Sequence, residues 1–138
     1  MAKVLVIDEC PEFREFALRN LSQSGFEVIE ARDGLAGLQR AVEDAPDWIL
    51  IDAGLSGLTG FEICRQFRDE KKTRDLPVAI WSSALHEFGR KLAFEAGADD
   101  FIDRSATTLD LGEKGWALIG RAALEWMRES HSKQFVVR

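Results

Sequence analysis

Apolar residues fall along this chain in two alternating patterns: short unbroken runs, and longer stretches at helical spacing. Trp48-Ile49-Leu50-Ile51 contains no polar residue and stops at Asp52. A strand buried on both faces has this character, the usual state of a central strand in a parallel sheet. Lys3-Val4-Leu5-Val6-Ile7 is a second such run and ends at Asp8-Glu9; Val78-Ala79-Ile80-Trp81, opened by Pro77, is a third and ends at Ser82-Ser83. Phe26-Glu27-Val28-Ile29-Glu30 alternates more, as a strand near a sheet edge does, and Asp100-Phe101-Ile102-Asp103 is short.

Helical spacing fills the gaps. Pro11 suits a first helical turn, Phe13, Phe16, Ala17 and Leu21 follow on one face, and Gly25 closes the helix. Asp33 caps a second helix carrying Leu35, Leu38, Ala41 and Val42, which stops before Pro46. Phe61, Cys64 and Phe67 mark a third. Leu85, Phe88, Leu92, Ala93 and Ala96 mark a fourth, stopped by Gly97. A long last helix takes its cap from Thr107 or Thr108. It carries Trp116, Ile119, Ala123 and Trp126 on a stripe read as core, and Gly112 and Gly115 weaken its first turns. Residues 1–129 are expected to form one domain and 130–138 a C-terminal tail.

Five strands thus alternate strictly with five helices. Parallel neighbours need crossover helices, so the pattern predicts an α/β fold, a five-stranded parallel sheet with helices on both faces. The weak runs, two and five, belong at the edges, which fits the flavodoxin-like order 2-1-3-4-5.

Composition narrows the function. With 138 residues the chain holds one domain, and no apolar run approaches the roughly 20 residues of a membrane helix. Two cysteines, Cys10 and Cys64, make neither a disulfide framework nor a zinc spacing. No signal peptide precedes the first strand, so the cytoplasm is the expected location. The net charge of -6 argues against nucleic-acid binding, and the basic cluster Lys71-Lys72-Thr73-Arg74 is flanked by acids.

In a sheet of this order the site lies outside the carboxyl ends of the strands, where strands one and three diverge. Asp8 and Glu9 end strand one, Asp52 ends strand three, Ser82 ends strand four and Arg104 follows strand five. Two like charges 4 Å apart cost about 4 kcal/mol at an effective dielectric of 20, so three carboxylates call for a counter-charge. Oxygen-only donors with room for water suit Mg2+ better than zinc. Beside such an ion Asp52 could attack phosphorus and become an acyl phosphate, Ser82 could donate to a phosphoryl oxygen, and Arg104 could neutralise another.

These residues resemble the receiver domain of two-component response regulators, of the chemotaxis-regulator type, over about residues 3 to 129. The matching pieces are Val6-Ile7-Asp8-Glu9, Ile51-Asp52 with Gly60-Phe61-Glu62, Pro77-Val78-Ala79-Ile80-Trp81-Ser82, and Ala96-Gly97-Ala98-Asp99-Asp100-Phe101. The resemblance implies Asp52 as phosphoacceptor. It implies Mg2+ held by Asp8, Glu9, Asp52 and the carbonyl of Gly54, Ser82 as switch hydroxyl, and Phe101 as a switch aromatic that turns inward. It implies a histidine kinase or histidine phosphotransfer protein as donor, and a downstream protein that reads helix four, strand five and helix five, a surface through which homodimerisation stays open. The expected product is a stand-alone signalling switch, not an enzyme.

The departures are specific. Arg104-Ser105 stands where the family has Lys-Pro, and Leu55-Ser56 where it has Met-Pro. Arg is a planar fork and Lys a compact point charge, so the exchange is not conservative. The alternative is therefore a pseudo-receiver, an interaction module that is never phosphorylated. A phosphatase reading lacks an Asp two residues past Asp8, and a flavin carrier would not have the acidic Glu9-Cys10-Pro11-Glu12 after strand one. The positions of Gly54 and Ala84 flank the phosphoryl group in the family, and the resemblance therefore implies that these small residues give water better access and shorten the phosphorylated lifetime.

Overall fold

A computed structural model describes residues 1–84, 86–105 and 109–136, and the side chains of all of these except 86 and 131–136. The elements are β1 (Lys3–Ile7), α1 (Pro11–Gln23), β2 (Glu27–Ala31), α2 (Gly34–Asp44), β3 (Trp48–Asp52), α3 (Gly60–Asp69), β4 (Val78–Ser82), α4 (His86–Glu95), β5 (Asp100–Asp103) and α5 (Leu111–Val136). All strand pairs are parallel, and the order is β2-β1-β3-β4-β5. The architecture expected from the hydrophobic pattern is the one observed.

Alternation along each strand divides the core in two. Leu5, Ile7, Ile49, Ile51, Ile80 and Phe101 face α2, α3 and α4. Val4, Val6, Trp48, Leu50, Trp81 and Ile102 face α1 and α5. Every residue of β3 and β4 is buried, as unbroken apolar runs require, whereas β2 at the edge is partly exposed. Asp33 caps α2 by accepting the Ala36 N–H at 2.8 Å, and Gly25 follows α1 at φ +92, a conformation glycine adopts freely.

Four local expectations change. The Thr107 and Thr108 caps lie outside the described residues; Asp110 starts α5, its side chain accepting the Glu113 N–H at 3.0 Å, while Asn20 of α1 accepts that of Leu111. Leu85 also lies outside the described residues, and Phe88 of α4, expected inward, is 64% exposed. Gly115 is a packing requirement and not only a weak helix position: a Cβ there would stand 2.5 Å from the Trp48 ring, so α5 seats on β3 because the side chain is missing. Finally, α5 continues to Val136 through the stretch expected to be a tail, and its apolar stripe splits. Trp116 stacks on Phe26 at 4.4 Å and donates to the Ser24 carbonyl at 3.0 Å, but Trp126 is 68% exposed, in a half-helix with little of the domain beneath it.

Candidate functional site

Each acid of the site is delivered by a strand that runs out of core. Asp8 follows β1, its N–H bonded to the Ala31 carbonyl of β2 at 3.1 Å, and its side chain is fully buried. Asp52 is the last residue of β3 and is 8% exposed. The next two residues turn away at once. Gly60, at the start of α3, donates to the Ala53 carbonyl at 3.1 Å, and any side chain there would run into the Asp52 carbonyl, so glycine alone lets α3 begin this close to the acid.

Arg104 joins the two acids. Its Nη1 is 3.0 Å from Asp8 Oδ2 and 3.4 Å from Asp52 Oδ1. The Cys10 N–H donates to Asp8 Oδ1 at 2.9 Å, and the Gly54 N–H donates to Asp52 Oδ1 at 3.1 Å. The Arg104 backbone N–H is fixed to the Ser82 carbonyl at 2.8 Å, the last rung between β4 and the end of β5. Its guanidinium carbon lies 3.7 Å from the centroid of the Phe13 ring and 5.1 Å from that of Trp81, within cation–π range of both. The side chain is 9% exposed, and its Nε is buried without a hydrogen-bond partner among the described residues.

Burial is the chief cause that pushes the Asp8 carboxyl above its ordinary pKa. The Cys10 N–H pulls the other way, the Asp52 charge adds to the rise, and Arg104 again opposes it. Glu9 stands apart from this pair. Its carboxylate accepts from the Ser56 backbone N–H and from the Ser56 hydroxyl, the latter at 2.7 Å. Ser82 is 8% exposed and its Oγ accepts the Ala84 N–H at 3.1 Å, which leaves its own proton free to be donated. Phe101 is already inward, 3% exposed, with Arg90 donating to its carbonyl at 3.4 Å.

The strand tips therefore bring together Asp8, Asp52 and Arg104, with Ser82 anchoring the arginine backbone. Glu9 is drawn to the 55–57 loop. Among the described residues no group of three His, Cys, Asp or Glu side chains converges on one metal position. The donor chemistry nevertheless suits a hard divalent ion: the acids offer only oxygen, and three carboxylates against one guanidinium leave two negative charges. Two partners escaped the sequence reading. Phe13 carries the spacing of a core residue, and nothing in that spacing shows that its face receives Arg104. Ser56 was visible as a replaced proline, but its bond to Glu9 was not.

An α/β domain of flavodoxin-like order, with acids at the tips of its first and third strands and a cation between them, is the class these observations define. The chain belongs to the response regulator receiver domain family, whose model matches residues 4–114, and so to two-component signalling. It is 32% identical over 122 residues, 88% of its length, to the DNA-binding dual master transcriptional regulator RpaA of Synechocystis, and it spans about half the length of such curated relatives. A receiver domain protein from Clostridium thermocellum superposes with a TM-score of 0.80 at 27% identity, covering 90% of this chain and 98% of that one. The receiver domain of a sensor histidine kinase from Pseudomonas aeruginosa, crystallised with magnesium in its active-site cleft, shares the fold with a TM-score of 0.78 at 22% identity, over 86% of this chain and 98% of that one.

Proposed function

We propose that this domain accepts one phosphoryl group on Asp52, with Mg2+ as cofactor, and thereby changes a protein-binding surface. The observation that carries the reading is the meeting of Asp52 with Asp8 and Arg104 at the end of a sheet whose next strand offers a free hydroxyl proton. Both contacts to Asp52 described above fall on Oδ1, so Oδ2 is the oxygen assigned to attack. The Oδ2–P bond forms as the P–N bond of a phosphohistidine breaks, and the imidazole nitrogen leaves and takes up a proton. The donor is a histidine kinase or a histidine phosphotransfer protein in the cytoplasm, and the reader is a protein.

Asp8, Asp52, the Gly54 carbonyl and Glu9, once released from Ser56, would hold Mg2+, which supplies screening of the incoming phosphoryl oxygens. The same fold with magnesium in its cleft in the Pseudomonas domain supports that assignment. Arg104 neutralises one phosphoryl oxygen and Ser82 donates to another. The domain turns over no external substrate beyond slow loss of its own phosphate. Incubation with Mg2+ and a small acyl phosphate, followed by intact mass, tests this: the wild type gains one phosphoryl group and Asp52→Asn gains none.

A second reading has its own observation. Arg104 already bridges the acid pair and Ser56 already holds Glu9, which is what an unphosphorylated interaction module would need. That reading predicts no adduct and no Mg2+ affinity.

A further inference from the structure

We infer that Arg104 is the resident cation of the metal-free site, so that Mg2+ competes with it for Asp8 and Asp52 and does not simply join it; this rests on the proposed function. One nitrogen, Nη1, lies between the two acids, 3.0 Å from Asp8 Oδ2 and 3.4 Å from Asp52 Oδ1. A divalent ion shared by those carboxylates needs oxygens that the guanidinium now engages, and it meets a positive charge held in place.

What holds that charge is unusual for a surface cation. The guanidinium lies against Phe13 of α1 and Trp81 of β4, and Phe16 stacks on Trp81 from farther out, at 6.5 Å. A planar guanidinium gains from lying on ring faces in a way a compact ammonium does not. The backbone bond to Ser82 fixes the root of the side chain. Yet Nε is buried with no partner among the described residues, so hydrogen bonding along the stem does not lock the pose. The carboxylates and the rings hold it. When the carboxylates are given another cation, the main attraction on Nη1 is withdrawn. The fork can then turn its donors to a new anion such as a phosphoryl oxygen.

Glu9 shows the same condition from the other side. Ser56 engages it through both the backbone N–H and the hydroxyl, so a third ligand is also occupied before metal arrives. Arg104 and Ser56 thus engage carboxylate oxygens that a divalent ion would need, and Mg2+ affinity is set by how firmly Arg104 is clamped.

Calorimetric Mg2+ titration and thermal melts with and without Mg2+, on wild type, Arg104→Gln and Arg104→Lys, test the inference. Arg104→Gln is expected to bind Mg2+ about tenfold tighter than wild type or more, a tenfold change being about 1.4 kcal/mol. Its melting temperature should rise further with Mg2+ than that of the wild type, and Arg104→Lys should fall between. Equal or weaker Mg2+ binding by both variants overturns the inference and leaves the phosphoacceptor reading standing. If none of the three proteins binds Mg2+, both the inference and the metal assignment fall. Should Arg104→Gln fail to fold, Arg104→Lys decides alone: tighter binding supports the competition, and unchanged binding overturns it.

Discussion

Two arginines sit at opposite ends of this sheet, and they differ in what their donors meet. Arg68 of α3 reaches the amino end of β4 and β5. Its Nε donates to the Gly97 carbonyl at 2.8 Å, its Nη1 to the carbonyls of Leu76 at 2.7 Å and Arg74 at 3.0 Å, and its Nη2 to Asp99 at 3.0 Å. Asp99 in turn accepts the Val78 N–H at 2.8 Å. Arg104, at the carboxyl end, has one nitrogen on two carboxylates, two aromatic faces beside its plane, and an Nε with no acceptor among the described residues. The first arginine closes the loops before β4 and β5 by saturating their carbonyls. The second balances charge and leaves hydrogen-bonding capacity unused. A side chain with every group partnered is a staple; one held by charge with donors to spare is a group that can be redirected.

The comparison can be broken in order of effect. Arg68→Met leaves three carbonyls and Asp99 without their shared donor, and should lower urea-denaturation stability by about 3 kcal/mol while leaving the stabilisation by Mg2+ unchanged. Arg104→Gln leaves the buried Asp8 carboxylate without its cation and should cost a comparable amount, about 3 kcal/mol, without metal, but here added Mg2+ should recover it. If the two variants respond alike to Mg2+, the distinction between staple and counter-charge is wrong. Gly54 sharpens the picture of the phosphorylated state. A Cβ there would lie 3.8 Å from Asp52 Oδ1 with no tighter contact, so a long side chain fits and covers the acid. Gly54→Met should slow loss of the phosphoryl group several-fold, followed by intact mass over time; an unchanged rate would show that water reaches Asp52 by another route.

The smallest effect concerns protons. Burial raises the Asp8 pKa, so the folded chain keeps that proton to higher pH than the unfolded chain does. In the metal-free protein the stabilisation is complete below the ordinary aspartate range and is lost as pH rises through the raised value. Asp8→Asn should therefore be more stable than wild type at neutral pH without Mg2+, and the gap should close as the solution is acidified, as denaturation series at several pH values would show. Stabilisation of the wild type by Mg2+ should weaken over the same acid window, because the proton and the ion compete for one carboxylate.

The elements and the sheet order were legible in the pattern because depth in this fold follows strand type. Unbroken runs became the buried β1, β3 and β4, and the alternating run became the edge strand β2. The acids and Arg104 were legible as strand ends, since topology alone gathers them. What each one touches was not. Whether Glu9 turns to a metal or to Ser56 depends on one hydroxyl in a loop, and whether Arg104 sits beside an ion or in its place depends on the Phe13 and Trp81 faces. Periodicity also overreached at the far end of α5. It marks a helix whether or not anything lies beneath it, and Leu124, Trp126 and Met127 are exposed.

The central claim is that Asp52, paired with Asp8 through Arg104, takes up phosphate. Intact mass after incubation with Mg2+ and a small acyl phosphate tests it most directly, run on wild type and Asp52→Asn side by side. The account predicts a single phosphoryl adduct on the wild type, dependent on Mg2+ and absent from the variant. An adduct on both proteins, or on neither at any Mg2+ concentration, would contradict it.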